Sequence, residues 1–151
     1  MLSIRSSLLH FLIWLIVATL LFGLVALVCT SFGIPFFSEA ISMLIMLPYM
    51  MSFYQMTQHL VKKYHVLPNK PQRWLLSIGC VVLFWLYTFG AGMLGIWLSG
   101  AEIRLKEIPP LNDLMLLFLG FVLLINIFLV VIGYFFLGKP AEIMLERQLR
   151  K

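Results

Sequence analysis

The sequence predicts an all-α fold, an integral-membrane four-helix bundle with short loops and both termini on the cytoplasmic side. Three observations carry this. Four long apolar stretches, about 8–29, 40–58, 74–98 and 114–137, take up most of the 151 residues. At ~1.5 Å of rise per residue each is long enough for a helix to cross a hydrocarbon layer of roughly 30 Å. The composition, 62% hydrophobic and 11% charged with a mean hydropathy of +1.03, lies far from soluble globular chains, in which roughly a quarter of residues are charged. Finally, the eleven basic residues sort by loop. Arg5 precedes helix one; Lys62, Lys63, Lys70 and Arg73 lie between helices two and three; Lys139, Arg147, Arg150 and Lys151 follow helix four. Only Arg104 and Lys106 fall elsewhere, offset by Glu102, Glu107 and Asp113. A nine-to-two division places both ends and the middle loop in the cytoplasm by the positive-inside rule. The sorting also argues against nucleic acid as a partner, since no single face gathers the cations.

Helix one, 8–29, carries no ionisable group beyond His10 and has Trp14 as its amphipathic aromatic. Its apolar run of about 22 residues exceeds the 7–15 of a secretory signal, and Val28 replaces the small residue a lipoprotein box needs before Cys29, so it reads as an uncleaved anchor. Helix two, 40–58, contains Pro48, which removes a backbone donor and predicts a kink, with Ser42 and Ser52 available to the freed backbone. Five of the nine methionines fall here, and Met43, Met46 and Met50 share a face. Thioethers suit Cu(I), but methionine also fills irregular space beside a proline.

Helix three, 74–98, is bracketed by Trp74 and Trp97, ~35 Å apart along a helix, as indole rings at two headgroup levels would be. Ala91, Gly95 and Ser99 recur every fourth residue and predict a small-residue packing face that admits another helix backbone. Helix four, 114–137, follows Pro109-Pro110, with Asn112 or Asp113 as its N-cap, and ends at Gly138-Lys139-Pro140. Its strongly polar interior residue is Asn126, for which an interhelical hydrogen bond is a sufficient role. Within the cytoplasmic tail 138–151, residues Ala141–Lys151 predict a short helix, with Ile143, Leu145 and Leu149 toward lipid and Arg147, Arg150 and Lys151 toward headgroups. No composition shift or repeat divides the chain, so it reads as one domain, 1–151.

The chemistry-bearing residues are few. None of the six acidic residues lies deep in a span; Glu39, nearest to one, stands where a helix dipole favours negative charge. His10 and His59 both fall at helix ends on the cytoplasmic side, at the boundary rather than inside the spans where a bis-histidine haem wants its ligands. Cys29 and Cys80 belong to opposite membrane sides, and no CxxC pair exists. No nucleophile set, paired interior carboxylates, HExxH or phosphate loop is present, which predicts a non-enzyme without cofactor or metal. The loop 59–73, HLVKKYHVLPNKPQR, is stiffened by Pro68 and Pro71, and its bases Lys62, Lys63, Lys70 and Arg73 would attract anionic lipid headgroups or an acidic partner.

The layout, with Lys62-Lys63 through Pro68 to Arg73-Trp74 at the entrance to helix three, resembles small uncharacterised four-helix bacterial inner-membrane proteins. That resemblance implies a bacterial inner membrane and no particular activity. The sequence thus leads to an accessory or scaffold subunit that binds other membrane proteins or lipid, as a homo-oligomer or in a larger membrane complex. The competing expectation is a subunit of an oligomeric small-molecule or ion transporter, with Pro48, Asn126 and Glu39 along its route.

Overall fold

The computed structural model describes residues 3–32, 36–99 and 113–150; side chains at 30, 36–45, 99, 113–115, 117 and 118 lie outside the description. The chain is all-helical, with no strand among the described residues. Its elements are α1 (Ile4–Ser31), α2 (Phe36–Tyr64), α3 (Lys70–Ser99), α4 (Asp113–Phe136) and α5 (Lys139–Leu149).

The helices run longer than hydropathy alone indicates, because their ends are built from polar caps. Ser3 starts α1, its hydroxyl accepting from the Ser6 amide. Asn69 and Gln72 form a reciprocal capping box at α3, the Gln72 amide donating to Asn69 Oδ1 at 3.0 Å and the Asn69 amide to Gln72 Oε1 at 3.1 Å. Pro71 falls in the first turn, where a missing N–H costs nothing. At the other side, α2 continues through Lys62 and Lys63 to Tyr64, and His65, the residue after it, takes a φ of 49°. That left-handed conformation is usual for the residue closing a helix, although glycine normally supplies it. The predicted fifteen-residue loop 59–73 is therefore a five-residue connection, 65–69, with its cations on two helix ends.

Helix α2 is continuous through Pro48, which is buried, and the Ser52 hydroxyl donates to the Pro48 carbonyl oxygen. Ser42 lies outside the described side chains. The stop predicted at Gly138-Lys139-Pro140 ends α4 at Phe136 and at once starts α5, with Pro140 in its first turn. Ala141 of α5 is buried, and α5 packs against both α2 and α4.

Helix α1 packs most extensively on α2 and also on α3, and α3 packs on α4. Side-chain contacts give the directions. His10 near the start of α1 meets His59 near the end of α2, Leu8 meets Gly79 near the start of α3, and Arg73 at the start of α3 meets Gly138 at the end of α4. The four helices thus alternate up and down. The core lies toward the end that carries the basic helix termini: Phe11, Leu15, Tyr49, Phe53, Met56, Leu60, Leu76, Cys80, Phe84, Leu129 and Leu137 form one buried cluster. Its aromatic pairs meet edge to face, Tyr49 against Phe11 at 5.6 Å and Phe84 at 5.3 Å between ring centroids.

Beyond that cluster the helices present apolar side chains outward, with Phe89 71% and Trp97 78% exposed. Among the described residues three helical stretches are long and apolar enough to cross a membrane, Ile4–Cys29, Lys70–Leu98 and Leu119–Leu149. Only 17%, 28% and 11% of their most apolar windows are buried inside the chain. Such surface is at home in lipid and would be an aggregation hazard in water.

Candidate functional site

The polar side chains gather at two places, the basic end of the bundle and the interface of α3 with α4. At the basic end, the rings of His10 and His59 stack with centroids 3.9 Å apart and an interplanar angle of 19°. The Trp14 indole N–H donates to His10 Nε2 at 3.0 Å, so that nitrogen is the acceptor of a neutral imidazole. Two rings lying face on do not converge their lone pairs on a common point, as a bis-histidine ligand set would. Burial, and then the Lys63 ammonium one turn on, hold His59 below its ordinary imidazole value of 6.5. His65 stands apart at the end of α2.

The four cations predicted as a lipid- or partner-facing loop separate. Lys62, Lys63 and Lys70 are exposed, whereas Arg73 is half-buried, its Nε donating to the Pro68 carbonyl oxygen at 2.9 Å. A Cβ on Gly138 would lie 2.9 Å from Arg73 Nη1, so the guanidinium rests on the bare backbone between α4 and α5. Beside it Trp74 and Tyr134 are tilted ring on ring, centroids 4.8 Å apart.

At the α3–α4 interface Asn126 holds two partners. Its Nδ2 donates to the Val122 carbonyl oxygen at 2.8 Å, and its Oδ1 accepts the Trp85 indole N–H. This is the interhelical hydrogen bond that an intramembrane asparagine predicts, with Trp85 as a donor that hydropathy does not single out. The pair lines an open groove of about 620 Å³ between Val81 and Val122. The side chain of Glu39 lies outside the described residues. Pro48 sits buried in α2 rather than beside Asn126 among the groove's lining residues.

Inside the chain the closest helix approaches are at Gly133 and Gly79. A Cβ on Gly133 would meet Ser77 Oγ at 3.0 Å and Phe53 at 3.1 Å, and one on Gly79 would meet Leu8 at 2.9 Å. Among the described residues nothing lies within 4 Å of that position at Gly90, Gly92 and Gly95, and Ala91 is exposed. The side chain of Ser99 lies outside the described residues. Among the described residues, close approach therefore occurs on the basic half of α3 rather than at Ala91 and Gly95.

The remaining candidates are internal. Cys80 is fully buried with its thiol 3.6 Å from Met56 Sδ. Met46 packs against the core while Met50 is exposed, and Met43 lies outside the described side chains. Among the described residues no group of three His, Cys, Asp or Glu side chains is placed to hold a metal ion. Tyr49 Oη and Ser77 Oγ are buried without a hydrogen-bond partner among them.

Fold and site together define an all-helical chain with three helices capable of crossing a membrane. No family model matches it, and neither the curated proteins nor the solved structures contain a match.

Proposed function

We propose that this chain is a small multi-pass protein of a bacterial inner membrane, with both termini and the α2–α3 connection in the cytoplasm, that serves as an accessory or scaffold subunit. It spans with α1, α2, α3 and α4, and it binds another membrane protein, or a second copy of itself, through the outer half of α3. One observation carries the reading: from Phe89 to Leu98 the helix is exposed, with no described neighbour within 4 Å of the Cβ positions at Gly90, Gly92 and Gly95. In lipid, where helix association depends on close packing rather than on escape from water, such a face suits a partner helix.

The test is association measured by cross-linking in native membranes and in vesicles of purified protein. Gly95→Leu should abolish the cross-linked species, and Asn126→Leu should leave it intact. An undiminished cross-link in Gly95→Leu removes the scaffold reading. Loss of ion or solute flux in Asn126→Leu vesicles with association intact would favour the transporter-subunit reading instead.

A further inference from the structure

A groove of about 580 Å³ opens where α3, α4 and α5 meet, and its lining joins two cations, Arg73 and Lys139, to Tyr134 and the apolar Ile132, Phe135 and Phe136. None of these lining residues is acidic; Glu142, in the first turn of α5, is not among them. We propose that this groove is a binding site for one anionic phospholipid, its phosphate between Arg73 and Lys139 and its first acyl segment along Ile132 and Phe135. The proposal rests on the membrane location argued above but not on association through α3.

Two features fit that occupant. Arg73 is fixed rather than free, since its Nε is committed to the Pro68 carbonyl oxygen and its Nη1 lies against Gly138. The other four N–H donors of the guanidinium have no acceptor among the described residues, and a planar fork of that kind matches a phosphate. Phe135 is largely exposed, and the tilted Trp74–Tyr134 pair has the amphipathic rings that settle at headgroup level. A free phosphate would satisfy the two cations and leave the apolar wall unused; a phospholipid uses both.

Trp74 supplies the probe. With Trp14→Phe, Trp85→Phe and Trp97→Phe it becomes the single indole, and the protein is reconstituted in phosphatidylcholine vesicles with brominated phosphatidylglycerol or brominated phosphatidylcholine at equal mole fraction. Bromine on the anionic lipid should quench Trp74 preferentially. Lys139→Gln should lower that preference about fivefold, the worth of one cation near a charged headgroup. Lys62→Gln, the same charge change at an exposed residue of the same end, should change it by no more than about twofold. Arg73→Lys keeps the charge and loses the fork, and should also lower the preference. Equal quenching by the two lipids overturns the proposal, as does an equal response to Lys139→Gln and Lys62→Gln. Inorganic phosphate that abolishes the preference, where chloride of equal ionic strength does not, overturns it in favour of a free anion.

Discussion

His59 joins the reading of the sequence to a measurable property. It shares a stack with His10, carries Lys63 one turn beyond, and has Lys62 exposed nearby on the same helix end. Its proton affinity is lower in the folded chain than the ordinary 6.5, so the unfolded state binds the proton more readily. Stability from this group is fully present above pH 6.5 and falls as pH drops below it, levelling off once pH passes the lowered folded value. Thermal unfolding of the detergent-solubilised protein should therefore shift downward on acidification from pH 7.5 to 5, tested against buffers of about those values. His59→Gln, which cannot titrate, should lose that part of the shift; an identical pH profile in the variant would assign the effect to other groups.

Helices and their stops are largely legible in this sequence, whereas their contacts are not. The apolar stretches place all four long helices, because a long apolar run leaves a signal that needs no partner. Their true ends are harder, since Asn69 and Gln72 read as loop residues beside two prolines although Asn-x-x-Gln is a capping signal. The small-residue spacing at Ala91 and Gly95 is real, but spacing alone does not say which glycine has a neighbour. Gly133 has no small residue four positions away and yet is the one pressed against Ser77 and Phe53. Trp85, likewise, has nothing in its surroundings in sequence that pairs it with Asn126, 41 residues on. A packing prediction follows at this scale. Gly133→Leu should destabilise the solubilised monomer by about 1–3 kcal/mol through overpacking, and Gly95→Leu should leave its melting within about 0.5 kcal/mol of the parent. Equal losses would mean that α3 packs along its whole length in the monomer.

At the scale of the molecule, the basic helix termini among the described residues and the buried core lie toward one end. The alternation of α1 to α4 brings Arg5, Lys62, Lys63, Lys70, Arg73 and Lys139 to helix termini on that side, and the proposed orientation puts that side in the cytoplasm. An impermeant maleimide applied to intact cells, in a Cys29→Ser background, should label Lys106→Cys and spare Lys62→Cys, and permeabilisation should expose the second. The reverse pattern would invert the topology and move the proposed lipid groove to the outer leaflet.

The one-sided core also sets how the bundle yields to force. Tyr49, Phe53, Phe84 and Leu129 tie the helices together at one level, and past them the apolar side chains of α1, α3 and α4 face outward. Pulled from the far side, the chain should part at low tension until the strain reaches Gly133 and the aromatic cluster, then resist abruptly. Pulled from the α5 end, it meets the packed region first. The bundle is thus a clamp with its jaw at the basic end, and the direction of extraction, rather than the total number of contacts, decides how strongly it holds.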